Sequence, residues 1–167
     1  MISLQELLES REVRVAHQGE LLQVHPGCAL LCLTVQLPGP EKRNALSVKI
    51  ARAGVQAVRE LGPSQEELRD LETGFEGYFL FKAPALALKQ KAVAIEDSHP
   101  LGRLMDLDVF SCPEPGAPVQ AISRSALGLS ERKCLLCDRP VRYCMRARTH
   151  TVQELLDSIA QIVNAWE

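Results

Sequence analysis

Two aspartates two residues apart, Asp106 and Asp108, are the clearest candidates for catalytic or metal-binding side chains in this chain. They alternate with the apolar residues Met105, Leu107 and Val109, and this alternation predicts a strand that projects both carboxylates from one face. Two acids held so close repel each other and favour a cation between them. Mg²⁺ binds one or two carboxylates together with phosphate oxygens of a substrate. The pair therefore predicts a magnesium site and phosphoryl-transfer chemistry on a nucleotide-like substrate.

The residues just before this strand suit the same chemistry. Gly102 permits close approach of the backbone, and Arg103 offers a planar guanidinium that matches phosphate geometry. His99 adds a polar group that either orients the acid pair or donates to phosphate, with stabilisation of the turn as the alternative. A solvated acid pair on an edge strand is the simpler interpretation of Asp-x-Asp alone.

Three cysteines and a histidine follow with the spacing C-x2-C-x6-C-x5-H, and they are Cys134, Cys137, Cys144 and His150. Thiolate and imidazole groups are the ligands of tetrahedral Zn²⁺ sites. Four protein ligands leave no open coordination position, so the predicted zinc is structural. Free thiols in a packed loop and a redox pair are the alternatives.

Composition limits the class of protein. The 167 residues are 46% hydrophobic and 24% charged, which predicts a soluble chain of one domain, or one domain with a small appendage. A net charge of −2 gives no general reason to expect nucleic-acid binding. The first residues are too rich in Glu and Arg for a secretory signal, and no apolar run reaches membrane-spanning length. We therefore expect a cytoplasmic protein with reduced thiols and no membrane partner.

Basic residues nevertheless concentrate in one segment, whose only acids are Glu131 and Asp138. The basic residues are Arg132, Lys133, Arg139, Arg142, Arg146 and Arg148. A docking surface for an acidic partner or a polyphosphate is one interpretation, and a solvated basic face is the other.

The helices and strands that hold these residues can be predicted from the spacing of apolar residues and from the positions of turn residues. We predict three longer helices, namely a helix from a capping box at Ser3 to about Val15, a helix at 44–61 and a helix at 85–97, and a short acidic helix that opens at 64–67. The predicted strands are a buried strand at 28–37, a strand at 73–82, the acidic strand at 103–111 and its hairpin partner at 119–124. An amphipathic helix from Thr151 to Trp166 ends the chain.

These elements mix without strict strand–helix–strand alternation. The predicted fold class is α+β: a mainly antiparallel sheet with a hairpin carrying Asp-x-Asp, covered by helices, and a Cys-rich segment before the C-terminal helix. We expect residues 1–130 to form the catalytic domain and residues 131–167 to pack on it.

Four runs of sequence resemble one family in the family's own order. They are SREVRVAHQ (10–18), LTVQLPGPEK (33–42), HPLGRLMDLDV (99–109) and RKCLLCDRPVRYCMRARTH (132–150). The chain is similar there to the citrate lyase holo-acyl-carrier-protein synthases, also called apo-citrate lyase phosphoribosyl-dephospho-CoA transferases. Glu41 and Val141 depart from the family pattern at positions that affect packing more than chemistry.

The resemblance implies transfer of the 2′-(5″-phosphoribosyl)-3′-dephospho-CoA group from its triphosphate precursor, triphosphoribosyl-dephospho-CoA, to a serine of the citrate lyase acyl-carrier subunit. Diphosphate leaves and a phosphodiester forms. Mg²⁺ on the acid pair would neutralise the leaving group. The residues expected to bind the triphosphate are Arg103, Lys42, Arg11 and Arg14. An aspartate of the pair or Glu96 would take the serine proton.

Two alternatives remain at this point. One is the same transfer to another carrier, such as that of malonate decarboxylase. The other is a non-enzymatic, zinc-binding adaptor, which would use the Cys/His-rich segment but leave Asp106 and Asp108 without a role.

Overall fold

The computed structural model describes residues 2–166, which form a five-stranded sheet and five α-helices. In chain order the elements are α1 (Leu4–Val24), β1 (Ala29–Val35), α2 (Ala45–Arg59), β2 (Gln65–Leu71), β3 (Gly74–Phe81), α3 (Ala85–Ser98), β4 (Met105–Ser111), β5 (Gln120–Ile122), α4 (Val141–Ala147) and α5 (Val152–Ala165). The strand order is β2-β3-β1-β4-β5 and each neighbouring pair is antiparallel. The predicted α+β class, with a mainly antiparallel sheet, is confirmed.

The predicted short acidic helix after Ser64 is wrong, because this segment is strand β2. Its residues pair with β3 from Gln65 opposite Leu80 to Leu71 opposite Gly74. The segment is polar on both faces, so its own sequence carries no alternating pattern, and pairing with the apolar strand β3 decides its conformation. Two further differences are the length of α1, which runs past Val15, and α4, which the sequence did not predict.

The two faces of the sheet are covered differently. One face packs under α2, α3 and α5, and its core includes Leu33, Phe79 and Leu107, all without exposed surface. The other face is covered by α1, where Leu22 packs with Tyr78 and their neighbours in a smaller cluster. Because residues along a strand alternate between faces, β4 buries its apolar residues under the helices and turns its aspartates towards the side of α1.

Helix boundaries coincide with capping residues. Ser3, Asn44 and Thr151 each accept a hydrogen bond from the third helical residue and complete a capping box. The boxes at Ser3 and Thr151 were predicted from the sequence. No helix in the described part of the chain is both long enough and apolar enough to cross a membrane.

The outer edge of β4 is only half covered by β5, whose pairing stops at Val109 opposite Ile122. Beyond that point helix α3 supplies the missing partners from its side chains. The Lys89 Nζ donates to the Leu107 carbonyl oxygen at 2.9 Å, and the Leu107 N–H donates to Glu96 Oε1 at 2.9 Å. This arrangement fixes the section of β4 that carries the acid pair without a fifth full-length strand beside it.

Candidate active site and the cysteine–histidine cluster

The acid pair lies on the face of the sheet shared with α1. Asp106 is opposite Thr34 of β1, and Asp108 is opposite Cys32. Met105 and Leu107 have no exposed surface, whereas the Asp106 side chain retains 37% of its exposure. The sequence-based expectation that both carboxylates project from one face of one strand is therefore confirmed.

Electrostatics at the pair are unfavourable for two free carboxylates. Although Asp108 keeps some exposed surface, loss of hydration and then the negative charge of Asp106 raise the pKa of Asp108 to about 6. Lys89 and Arg132 oppose this shift only in part. Two adjacent hard oxygen donors that repel each other fit a small divalent cation, so the residues present are compatible with Mg²⁺.

Arg132 connects the acid pair to the Cys/His-rich segment, which comprises residues 131–150. Its Nη1 lies 3.5 Å from Asp106 Oδ1 and 3.7 Å from Glu96 Oε1, and it donates to the Met105 carbonyl oxygen at 3.0 Å. Its Nη2 donates to the Arg103 carbonyl oxygen at 3.0 Å. The sequence placed Arg132 only in a basic segment, because nothing local indicates a partner 27 residues earlier in the chain.

Glu96 is buried at the outer edge of β4. Its Oε1 accepts from the Leu107 N–H at 2.9 Å, and its Oε2 accepts from Arg124 Nη1 at 3.0 Å. Burial raises the pKa of Glu96, and Arg132 opposes that rise. Both carboxylate oxygens are thus already engaged, one with β4 and the other with the 3-10 turn that follows β5.

Arg103 and Gly102 lie in the short 3-10 turn that precedes β4. Arg103 is exposed, and its Nη2 donates to the carbonyl oxygens of Cys134 at 2.6 Å and Lys133 at 3.2 Å. Gly102 is buried, and a Cβ there would lie 2.3 Å from the Ile95 carbonyl oxygen. Close packing of this turn against the end of α3 is therefore enough to require glycine at position 102, and no bound ligand is needed to account for it.

His99 ends α3 and is not brought to the acid pair. Its Nδ1 accepts from the Leu101 N–H at 3.0 Å, and its ring centroid lies 6.0 Å from that of Trp166. Burial lowers the pKa of His99. Helices α3 and α5 cover the face opposite α1, so this position favours the turn-stabilising alternative over a catalytic one.

Arg14 lies on α1 and belongs to a buried polar network beside the pair. It donates to Glu76 Oε1 at 2.9 Å, and Glu76 also accepts from the Tyr78 hydroxyl at 2.5 Å. Glu76 is opposite Thr34, which is in turn opposite Asp106, so these residues form one row across the sheet. Sequence reasoning missed Glu76, and its only indication was a charged residue in an otherwise apolar strand.

Lys42 and Arg11 lie at the end of the sheet where β1 finishes and β4 begins. Lys42 Nζ donates to the Leu37 carbonyl oxygen at 2.6 Å. Burial, and then the positive charge of Arg11, lower the pKa of Lys42. The Gln36 N–H donates to the Leu104 carbonyl oxygen at 3.0 Å, so the loop carrying Lys42 starts beside the entry to β4.

The predicted zinc ligands come together in space. One ligand atom from each of Cys134, Cys137, Cys144 and His150 lies within 4.8 Å of the others. The sulfur atoms of Cys137 and Cys144 are 3.5 Å apart, and His150 Nε2 is 3.4 Å from Cys137 Sγ. The three cysteines and the histidine thus form a group that could hold a metal ion such as Zn²⁺.

Local structure brings these ligands together. The Cys134 N–H donates to the Arg139 carbonyl oxygen at 2.7 Å, and a bridge joins Lys133 to Pro140, so the first two cysteines sit on a tight hairpin. Arg148 ends α4 with φ 47°, a left-handed conformation that turns the chain back towards the cluster. The positive φ of a non-glycine residue is therefore explained by the return of His150.

The surface has two hollows with volumes of about 420 and 520 Å³. Neither Asp106 nor Asp108 is among the residues that line them. The smaller hollow lies between Leu61 and Lys91, and the larger lies on α4.

Comparison with known proteins gives a match over almost the whole chain. The family model described as apo-citrate lyase phosphoribosyl-dephospho-CoA transferase matches residues 2–166. A Vibrio cholerae protein named probable apo-citrate lyase phosphoribosyl-dephospho-CoA transferase is 40% identical over 172 residues, covering 99% of this chain and 93% of the relative. An Escherichia coli protein named apo-citrate lyase phosphoribosyl-dephospho-CoA transferase is 38% identical over 169 residues, covering 98% and 89%. A Streptococcus pyogenes protein with the same name, marked probable, is 34% identical over 169 residues, covering 99% and 87%.

Proposed function

The chain belongs to the apo-citrate lyase phosphoribosyl-dephospho-CoA transferase family and is a transferase, and from this premise we propose its reaction. It transfers the 2′-(5″-phosphoribosyl)-3′-dephospho-CoA group from triphosphoribosyl-dephospho-CoA to a serine of the citrate lyase acyl-carrier subunit, and it releases diphosphate. Family membership also removes the non-enzymatic adaptor as an alternative.

The acid pair is the observation that carries this proposal. Asp106 and Asp108 project from one face of a strand whose other face is fully buried. Loss of hydration, and then the negative charge of Asp106, raise the pKa of Asp108, as expected for a carboxylate pair that a bound cation would stabilise. A site of this kind suits a substrate that arrives with Mg²⁺ and a triphosphate.

The proposed roles follow from charge and position. Asp106 and Asp108 would hold Mg²⁺, which would supply positive charge to the phosphate oxygens and to the leaving diphosphate. Arg103, with Lys42, Arg11 and Arg14 from the neighbouring elements, supplies positive charge for the triphosphate. Arg132 orients Asp106 from the other side.

The proposed transfer is a displacement at the α-phosphorus of the triphosphate. The serine Oγ forms a bond to the α-phosphorus, the bond from that phosphorus to the bridging oxygen of diphosphate breaks, and the hydroxyl proton passes to a carboxylate of the pair. Glu96 is a poorer acceptor, because both of its oxygens already accept hydrogen bonds. His99 has no role in this scheme, since it lies on the other face of the sheet.

We propose that the Cys134–His150 group holds a structural Zn²⁺. Four protein ligands within 4.8 Å of one another support this, and they leave no position for substrate. None of the six cysteines, all of which lie in the described part of the chain, forms a disulfide, which favours a reducing compartment, and we propose that the protein acts in the cytoplasm.

Mass spectrometry of the apo-carrier tests the function. Incubation with this protein, the triphosphate precursor and Mg²⁺ is expected to add the mass of one prosthetic group to the carrier serine and to release one diphosphate per transfer. The matched control is a carrier with that serine changed to alanine, which gains no mass. An apo-carrier of malonate decarboxylase is tested in parallel, and modification of that carrier alone would overturn the assignment to citrate lyase.

A further inference from the structure

Helix α4 and the residue pair before it present a basic surface that the proposed chemistry does not use. We call it the α4 surface and define it as Arg139, Arg142, Tyr143, Met145 and Arg146, all of which are exposed. Tyr143 keeps 53% and Met145 keeps 72% of their exposure. Large apolar side chains are left in solvent here, beside three arginines, so the surface is neither core nor an ordinary solvated face.

The surface carries a net positive charge within a chain whose overall charge is −2. From residue 139 to residue 150 there are four arginines and no acid. One nearby acid, Glu131, lies 3.5 Å from Arg142, and another, Asp138, lies 3.4 Å from Lys133. Both pairs are exposed and therefore contribute little, so most of the positive charge is available to a partner.

The residue types match those of protein interfaces. Arginine, tyrosine and methionine are enriched at such interfaces, whereas lysine and glutamate are depleted. The Arg139 guanidinium lies 5.3 Å from the centre of the Tyr143 ring, which restrains both side chains before any partner binds. A hollow of about 520 Å³ on this surface is lined by Glu131, Pro140, Arg142, Tyr143, Arg146 and Ala147.

The α4 surface is directly connected to the acid pair. The N–H of Val141, the first residue of α4, donates to the Arg132 carbonyl oxygen at 2.9 Å. The side chain of the same Arg132 reaches Asp106. The start of α4 is therefore separated from the reacting centre by the length of one arginine side chain, which is a suitable distance for a surface that delivers a serine to that centre.

We propose that the α4 surface docks an acidic face of the apo-carrier protein during transfer. This inference rests on the proposed function, since it names where the second substrate of that reaction binds. A protein partner accounts for the exposed Tyr143 and Met145, which a polyphosphate would leave uncovered. An acidic face accounts for the arginines, because rim charges of opposite sign accelerate and orient association.

Charge reversal on α4 tests the proposal. Arg142→Glu and Arg146→Glu are each expected to raise the KM for apo-carrier by about tenfold or more, with an unchanged KM for the triphosphate precursor. Arg52→Glu is the matched control, because it makes the same charge change at an exposed position of α2 and is expected to leave both constants unchanged. Thermal unfolding of each variant verifies that the fold is kept.

A second variant separates docking from general electrostatics. Tyr143→Ala leaves the charge unaltered and is expected to weaken direct binding of apo-carrier by about tenfold, measured by calorimetry without precursor or Mg²⁺. Equal effects of Arg142→Glu and Arg52→Glu, or a change confined to the precursor KM, would overturn the docking proposal while leaving the transfer reaction intact. Self-association that Arg142→Glu abolishes would assign the surface to a second copy of the chain. Failure of the unaltered chain to modify any carrier counts instead against the proposed function.

Discussion

The sheet and the Cys/His-rich segment, residues 131–150, both contribute residues to the proposed site but are held in place by different forces. The sheet positions Asp106 and Asp108 through apolar burial, since Leu107 between them has no exposed surface. The segment buries few apolar side chains. Within residues 131–150, all of which the structure describes, only Cys134 and Cys144 are buried apolar residues. One half of the site is therefore fixed by a core, and the other half depends on polar contacts and on the cysteine–histidine cluster.

Each region contributes one arginine that donates hydrogen bonds to the other region. These contacts hold the segment against the sheet in place of an apolar core. Arg103, from the turn before β4, donates to the Lys133 and Cys134 carbonyl oxygens of the segment. Arg132, from the segment, donates to the Met105 and Arg103 carbonyl oxygens. Because the sheet sets the geometry of the acids through its own core, we expect the segment to loosen without unfolding the sheet.

The largest expected effect is on the sheet side of this comparison. Asp106→Asn and Asp108→Asn should each lower the transfer rate by at least about 10³-fold, or about 4 kcal/mol, because each removes a charged metal ligand. Both side chains reach the surface, so the melting temperature should change little. Asp157→Asn, an exposed change on α5, is the control, and near-normal turnover in both acid-pair variants would remove the metal role.

A glycine substitution tests how tightly the sheet region is packed. Gly102→Ala should lower the free energy of unfolding by about 3 kcal/mol, because the new Cβ would meet the backbone of α3, with Ile95 O at 2.3 Å. Gly19→Ala in α1 is the matched control: its Cβ meets nothing within 4 Å, and it should raise the free energy of unfolding by about 1 kcal/mol. Urea denaturation measures both, and equal values would show that Gly102 is not constrained by packing.

The smallest expected effect on the global fold is on the segment side. Cys137→Ser, or treatment with a chelator, should make tryptic cleavage within residues 131–150 about tenfold faster while the sheet remains folded. Cys28→Ser, which changes a cysteine outside the cluster, should leave the cleavage rate unchanged. Elemental analysis should find about one zinc per unaltered chain. Much less zinc, with the same cleavage rate in all samples, would show that the segment needs no metal.

Local patterns made part of this site predictable. The alternation around Asp106 and Asp108 fixed their common face, and the C-x2-C-x6-C-x5-H spacing anticipated a cluster that the fold does assemble. The capping box at Thr151 likewise placed the final helix correctly. In each case the residues that decide the structure are close together in the chain.

Non-local contacts account for what sequence reasoning missed. Strand β2 owes its conformation to pairing with β3, which its own polar sequence does not reveal. Arg132 reaches Asp106 only because the segment folds back over the start of β4. His99 was considered for catalysis because it precedes the acidic strand, yet the end of α3 turns its ring towards Trp166.

The half-covered edge of β4 also has a consequence for how the protein behaves at high concentration. A strand with unpaired N–H and C=O groups is a template on which another chain can add and start aggregation. In the section of β4 that β5 does not pair, the Leu107 C=O and N–H are capped by Lys89 and Glu96, side chains that cannot be extended into a further strand. This section of β4 therefore leaves no free N–H or C=O group at Leu107 on which the strand of another chain could pair.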